Sequence, residues 1–167
     1  MEGATYSGGT SSYGLIGKDR DKDMNASNGW YVHFMYVEGY ALEFNIVSDR
    51  DVDDVKFVAR FSAEYKDITF DDVMFPIRID GVDLEYGTIS INGVPRQGGG
   101  NKAFADFVLG ENISFHKGVN KIELCVENNE LMYGTALSTA PMTDCLKLTT
   151  TATLTWPEEC PENLDQF

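Results

Sequence analysis

The sequence predicts an all-β protein, a jelly-roll β-sandwich of two antiparallel sheets, on three observations. Apolar and polar residues alternate in many short runs, which is the period of a strand with one buried face. Turn-forming residues separate these runs, and apolar residues at helical spacing nowhere persist for about ten residues. The length of 167 residues fits one domain whose core needs no disulfide or metal for stability.

The clearest alternation lies in residues 55–64, where the odd-numbered residues from Val55 to Ala63 are all apolar. The same pattern predicts strands in residues 42–46, 77–79, 122–126 and 146–148. Aromatic and β-branched residues, which favour strands, predict others in residues 30–37, 86–91, 104–109 and 149–156.

Turn signals lie between these runs, as in Asn28-Gly29, Asp80-Gly81 and Asn92-Gly93. Many short strands separated by such turns are typical of a sandwich or jelly roll. We therefore predict one β-sandwich module over residues 1–156. Residues 157–167 are acidic and interrupted by proline, which indicates a linker to a neighbouring module.

The charge of the chain restricts its partners. Lys and Arg number 13 against 27 Asp and Glu, which gives a net charge of −14. Because this charge repels phosphate backbones and anionic lipids, we expect no nucleic-acid partner and no membrane partner. The first residues do not resemble a secretory signal. Either the protein is intracellular, or it is a module separated from its targeting segment, and we favour the second interpretation.

The three cysteines, Cys125, Cys145 and Cys160, show neither a CxxC motif nor a cysteine–histidine spacing. The odd number and the spacing argue against a zinc site or a disulfide framework. Cys125 and Cys145 lie in strand-like runs and are expected to be small buried side chains. A bridge between these two cysteines is the alternative.

Motifs of the common catalytic sites are absent from the sequence, which predicts that the chain is not an enzyme. No nucleophile elbow, zinc-protease helix, phosphate-binding loop or dinucleotide fingerprint occurs. His33 and His116 stand in separate contexts and are expected to pack or to face solvent. Carboxylates are plentiful, so a glycosidase pair remains an alternative. The acidic clusters in residues 49–54 and 67–72 are interpreted as solvated loops, with a metal site as the alternative.

Many tyrosines, together with Trp30, lie close to turn signals or strand ends. Sugars present apolar C–H faces that stack on such rings, and their hydroxyl groups bond to amides, guanidinium groups and carboxylates. The alternative is that most of these rings fill the core. The candidate ligand residues on this ground are Trp30, Tyr36, Arg96, Asn101, Asn128, Asn129 and Tyr133.

Three stretches form recognisable motifs in a fixed order along residues 2–156. Residues 2–9 end an opening Glu-containing segment, and residues 26–32 follow an A-S-G-G-x-Y-V signature that continues into the strand at 42–46. Residues 118–124 follow a G-x-N-x-I-x-L strand, and residues 140–148 carry an aspartate before a closing strand. Together these motifs resemble the carbohydrate-binding modules of families 6 and 35.

The resemblance implies a β-jelly-roll that tethers plant cell-wall enzymes to their polymer without hydrolysing it. It implies a structural Ca²⁺ ion held by Glu2 and Asp144, since oxygen ligands suit this cation. It also implies a ligand site in the loops at one end, where the first ring would be Phe34 or, preferably, Tyr36. The second family ring has its nearest counterpart at Asn101, and Asn128, Asn129 or Tyr133 would supply the missing contacts.

We therefore predict a monomeric, non-catalytic module of a larger secreted bacterial enzyme. Its polysaccharide would be a plant cell-wall hemicellulose, with β-mannan preferred over xylan or pectin. Catalytic or other modules in the parent chain would be its covalent partners. The first alternative is a structural or adhesion sandwich that packs against a neighbouring module, and the second is a hydrolase.

Overall fold

The computed structural model describes residues 4–7, 15–18, 25–33, 35, 38–63, 67–93, 104–127 and 140–157. Within these residues the chain forms β-strands and no helix, so the all-β prediction is confirmed. No helix of the described segments has the length and apolarity to cross a membrane. The strands are β1 Ala4–Ser7, β2 Leu15–Lys18, β3 Trp30–His33, β4 Ala41–Ser48, β5 Val52–Ser62, β6 Ile68–Phe70, β7 Ile77–Ile79, β8 Val82–Asp83, β9 Ile89–Ile91, β10 Ala105–Phe115, β11 Gly118–Cys125, β12 Met142–Thr149 and β13 Leu154–Thr155.

Two large antiparallel sheets form the sandwich. Sheet A has the strand order β1-β4-β11-β7-β8, with β13 also paired to β4. Sheet B has the order β10-β5-β12-β3-β2. The predicted pair of sheets is confirmed, and β6 and β9 add a small two-stranded sheet that the sequence did not predict.

The core lies between the sheets because the predicted alternation holds in the strands that face each other. In β4 every second side chain is buried, including Leu42, Phe44 and Ile46. In β5 the buried set includes Phe57 and Phe61. A period of two places such residues on one face of a strand, so each sheet presents an apolar inner face to the other.

Two predicted strands are shorter than expected because side chains satisfy the backbone there. In residues 86–91 only Ile89–Ile91 forms a strand: Gly87 has a φ of 75°, and its N–H donates to the carboxylate of Asp72 at 3.2 Å. In residues 149–156, Thr149 ends β12 and only Leu154–Thr155 forms a further strand. The backbone N–H groups of Thr151 and Thr153 donate instead to the carboxylates of Asp54 and Asp49.

Three tight connections meet at one end of the sandwich, which we call the turn end. They are residues 49–51 between β4 and β5, residues 80–81 between β7 and β8, and residues 116–117 between β10 and β11. Ser48 at the end of β4 pairs with Gly118 at the start of β11, and the Asp80 N–H donates to the carbonyl of Lys121. The opposite end is called the loop end.

The two cysteines in the described segments are unbridged. Cys125 is buried in sheet A, whereas Cys145 is half-buried in sheet B. Burial raises the pKa of both thiols. The expectation of small packed side chains therefore holds, and the alternative of a Cys125–Cys145 bridge does not.

Candidate functional site

Most of the predicted ligand residues lie outside the described residues, but the strands that flank them end together. Ala41 at the start of β4 pairs with Cys125 at the end of β11. Ser62 at the end of β5 pairs with Met142 at the start of β12. The chain therefore leaves and re-enters the sheets at the loop end around the segments that carry the predicted residues. Those outside the described segments are Glu2, Phe34, Tyr36, Arg96, Asn101, Asn128, Asn129 and Tyr133.

The structure brings the two other predicted residues, Trp30 and Asp144, to one cleft on the side of the sandwich, which we call the tryptophan cleft. Its volume is about 380 Å³, and it opens between the inner faces of the two sheets. A second tryptophan, Trp156, also lines it. The lining residues are Asn28, Trp30, Phe44, Ile46, Ile122, Asp144, Cys145, Leu146, Leu148, Leu154, Thr155 and Trp156.

Strand geometry explains why both tryptophan rings reach solvent at this cleft. Successive side chains of a strand point to opposite faces, so Trp30 shares a face with Val32, which is buried in the core. Trp30 lies at the start of β3, and 41% of its surface is exposed. Trp156 directly follows β13, a two-residue strand beside β4, and is 47% exposed.

The remaining lining residues give the tryptophan cleft an apolar floor and a polar mouth. Phe44 and Ile122 of sheet A are buried at the floor, whereas Asn28 and Thr155 are exposed. The amide of Asn28 can donate and accept hydrogen bonds, and the hydroxyl of Thr155 can do the same. Exposed ring faces beside such groups suit a ligand with apolar C–H faces and many hydroxyl groups.

Sequence reasoning identified Trp30 but missed Trp156. Residue 156 fell within a run predicted to be a full strand, where a ring is as readily part of the core. The available signal was its neighbourhood, since Trp156 is the last residue of that predicted run and directly precedes Pro157, where the polar and acidic segment begins. Only the pairing of β13 with β4 brings this ring beside Trp30.

Asp144 is buried in the wall of the cleft and ties three segments together. Its carboxylate accepts hydrogen bonds from the Ser27 N–H at 2.9 and 3.0 Å and from the Ser27 hydroxyl at 2.9 Å. The Nε of Arg60 lies 2.8 Å from Oδ2. Arg60 also pairs with Asp106, whose pKa is lowered first by its hydrogen bond to Lys147 and then by Arg60.

Asp144 is the only one of the two predicted calcium ligands within the described residues. In that part of the chain no group of three or more His, Cys, Asp or Glu side chains is arranged to hold a metal ion. The carboxylate of Asp144 already contacts the Arg60 guanidinium and accepts hydrogen bonds from the N–H and the hydroxyl of Ser27. A Ca²⁺ ion bound to Oδ1 of Asp144 would have to displace the hydrogen bond from the Ser27 hydroxyl. The hydroxyl oxygen of Ser27 could then serve as a further oxygen ligand.

The histidines take the roles that the sequence predicted for them. The ring of His33 packs edge-on against Tyr31 with centroids 5.3 Å apart, and burial lowers its pKa to about 4. His33 is therefore neutral at pH 7. His116 is exposed at the turn end, with its Nδ1 3.3 Å from the carboxylate of Asp80.

Met142 and Thr143 directly precede Asp144 on strand β12. Both side chains are buried, at 5% and 0% exposure, on strand β12. They are therefore closed off from a ligand at the loop end.

The sequence matches no protein-family model and no curated protein. Solved structures with a similar fold include a family 35 carbohydrate-binding module from an environmental isolate, at 11% identity over 94% of this chain and 93% of that chain, with a TM-score of 0.58. A family 35 module from Clostridium thermocellum is similar at 18% identity over 89% and 93% of the two chains, with a TM-score of 0.54.

A third similar structure is the Podospora anserina GH26-CBM35 β-(1,4)-mannanase. It aligns at 14% identity and a TM-score of 0.54, over 95% of this chain and 29% of that chain. At these identities the similarity establishes the fold. The resemblance predicted from the motifs is thus confirmed at that level: the chain has the galactose-binding-like β-sandwich fold of family 35 carbohydrate-binding modules.

Proposed function

We propose that the chain is a non-catalytic module that binds polysaccharide. The observation that carries this proposal is the pair of half-exposed tryptophans, Trp30 and Trp156, at the mouth of one cleft. Large exposed apolar side chains that share a concave surface are typical of a binding site. The fold shared with family 35 modules supports the same function.

The size of the tryptophan cleft indicates how much of a glycan it would hold. Its volume of about 380 Å³ is near the lower end of ligand pockets, which range from about 300 to 1,000 Å³. We therefore expect a short stretch of sugar in the cleft. In the proposal, Phe34 or Tyr36, with Arg96, Asn101, Asn128, Asn129 and Tyr133, contacts further sugar units from the loop end.

The preferred ligand is β-mannan, with xylan or pectin as the other candidates. Support for mannan comes from the mannanase that carries a module of the same fold. We further propose that the parent protein is secreted by a bacterium, that an enzyme module is covalently attached, and that the module itself is monomeric. Its contribution would be to raise the local concentration of the enzyme at the polymer.

Affinity electrophoresis of the full chain in gels with soluble β-mannan, xylan or pectin tests the proposal. We expect one polymer to retard the protein relative to a polymer-free gel. If circular dichroism shows that the protein is folded and none of the three gels retards it, the result would favour the structural or adhesion sandwich. Release of reducing sugar that a single Asp or Glu substitution abolishes would favour the hydrolase.

Trp156→Ala is expected to weaken polysaccharide binding about fivefold. An aromatic contact is worth about 1 kcal/mol, and about 1.4 kcal/mol corresponds to a factor of ten. Trp156→Phe keeps a ring and should retain most of the affinity. The matched control is Val119→Ala, which shortens another exposed apolar side chain, 51% exposed, on β11. Equal binding by Trp156→Ala and Val119→Ala would exclude the tryptophan cleft from the site.

Glu2 and Asp144 form the proposed structural calcium site. Ala4 at the start of β1 pairs with Phe44, which lines the tryptophan cleft together with Asp144. Glu2 precedes Ala4 by two residues in the sequence, and the proposal is that its carboxylate meets that of Asp144 at a shared cation. Two carboxylates, carbonyl oxygens and the Ser27 hydroxyl would complete an oxygen shell for a hard cation.

Removal of calcium with a chelator is expected to lower the midpoint of thermal unfolding by about 5 °C or more. The reason is that a ligand bound only by the folded state stabilises it, and about 1 kcal/mol shifts the midpoint by about 2–4 °C in a chain of this size. Glu2→Gln should abolish the difference, whereas Glu38→Gln should preserve it. An unchanged midpoint in the wild type would show that Arg60 alone balances the Asp144 charge.

A further inference from the structure

A larger cleft, distinct from the tryptophan cleft, lies at the turn end. Its volume is about 770 Å³. It lies between β8, the last strand of sheet A, and β10, the last strand of sheet B, along the sheet order found in the described residues. We call it the turn-end cleft. Its lining residues are Asp51, Val52, Asp53, Ile79, Asp80, Val82, Asp83, Leu84, Ile113, Ser114, Phe115 and His116.

The floor of the turn-end cleft is aliphatic. Ile79, Leu84 and Ile113 line it with little or moderate exposure, and Val82 at its rim is 70% exposed. Phe115 contributes the only aromatic carbocycle of the lining, yet it is 2% exposed. A sugar would find no phenyl or indole face to stack on here, whereas an aliphatic side chain would find an apolar surface of matching chemistry.

The rim of the turn-end cleft is acidic, with no lysine or arginine among its lining residues. Neighbouring groups compensate part of this negative charge. Asp83 forms an ion pair with Arg78 at 2.7 Å. The carboxylate of Asp80 accepts a hydrogen bond from the Lys121 N–H and lies 3.3 Å from the Nδ1 of His116. Asp51 uses one oxygen to accept from the Lys117 N–H at 2.6 Å.

Asp53 is exposed, and its carboxylate makes no hydrogen bond or ion pair within the described part of the chain. It lies at the start of β5, beside the aliphatic floor. The side chains of Asp51 and Asp53 therefore leave uncompensated negative charge next to an apolar surface. The partner that complements both features carries a positive charge and an apolar side chain close together.

The edge position of β8 adds a backbone feature to this surface. Val82 and Asp83 pair with β7 on one side, and no strand of the described segments pairs with their other side. An extended peptide can pair with such a free edge and place alternate side chains toward the cleft. Strand β10 on the far side is less suited, since its pairing with β5 shifts register in three places.

We propose that the turn-end cleft binds an extended peptide segment of a protein partner. Every second residue of this segment faces the cleft, and these cleft-facing residues are in turn cationic (lysine or arginine) and aliphatic. The cationic side chains meet Asp51 and Asp53, and the aliphatic side chains cover Val82 and the floor. This interaction is independent of polysaccharide binding, because the two clefts share no lining residue.

Fluorescence anisotropy on the full chain tests the proposal with a labelled peptide whose every second residue is lysine and valine in turn, with serine at the positions between. We expect this lysine–valine peptide to bind, and the same peptide with glutamate in place of lysine not to bind. Asp53→Lys should weaken binding about tenfold or more, because it replaces an attraction by a repulsion at the cleft. Glu38→Lys makes the same charge change on an exposed loop-end residue and should change the affinity less than about twofold.

Val82→Ser separates the apolar contribution from the electrostatic one and should weaken binding about threefold or more, since it removes apolar surface from the contact. Absence of lysine–valine binding overturns the proposal, and so does an equal loss in Asp53→Lys and Glu38→Lys, which would report net charge alone. Binding of a glucosamine oligomer that Asp53→Lys abolishes would assign the turn-end cleft to an amino sugar and overturn the peptide assignment.

Discussion

Replacing Phe61 with alanine is expected to lower the free energy of unfolding by about 3–5 kcal/mol, the usual cost of a buried phenylalanine truncation. Phe61 has no exposed surface and lies on the inner face of β5. Its ring contacts those of Phe70, Phe75 and Phe107, with centroids 5.9, 6.1 and 6.2 Å away. The substitution therefore removes both apolar burial and a set of ring contacts.

The position of Phe61 makes collapse of the resulting cavity difficult. The backbone at Phe61 is fixed in sheet B, because β5 pairs with β10 on one side and with β12 on the other. Backbone movement on either side would break strand pairing, so the cavity is expected to stay largely open. Urea unfolding measures the effect, and Val108→Ala on the neighbouring strand, at an exposed valine, serves as control. A loss below about 1 kcal/mol for Phe61→Ala would contradict the assigned core.

The sequence predicts the central strands because their two faces meet different environments. In β4 and β5 the core-facing residues are mostly apolar and the others are mostly polar, so the period of two appears in the sequence itself. The two-residue strands β8 and β13 have no such signal. Strand β8 pairs with β7 across the Asp80-Gly81 turn, whereas β13 pairs with β4, which is distant in the sequence.

The candidate sites were less predictable than the sheets for a related reason. The tryptophan cleft combines Asn28 with Trp156, and the turn-end cleft combines Asp51 with His116, in each case across most or much of the chain. Single-residue chemistry indicated that Trp30 could contact a ligand, and the family resemblance implied that Asp144 could hold a cation. Neither gave a means of finding Trp156 or Arg60 as their neighbours, because local periodicity does not determine the order of strands in a sheet.

Asp144→Asn is expected to lower the free energy of unfolding by about 3–5 kcal/mol, the range measured when one partner of a buried ion pair is removed. The Asp144 side chain has no exposed surface, and that of Arg60 is 16% exposed. The amide of asparagine can still accept from Ser27, but it cannot balance the Arg60 guanidinium. The cost therefore arises from a largely buried cation that has lost its buried partner.

Asp106→Asn is the matched control, since it makes the same change at the other carboxylate that pairs with Arg60. The Asp106 side chain is 44% exposed and lies 3.1 Å from Arg60 and 2.5 Å from Lys147. Exposed pairs contribute about 0.2–1 kcal/mol, so the control should lose much less stability than Asp144→Asn.

Urea unfolding of both variants, with calcium and with a chelator, separates the roles of Asp144. If Asp144 also holds calcium, only Asp144→Asn loses the response to the chelator; if Arg60 is its sole cationic partner, neither variant nor the wild type responds. Equal losses in the two variants would mean that burial of the Asp144–Arg60 pair contributes nothing beyond a surface contact.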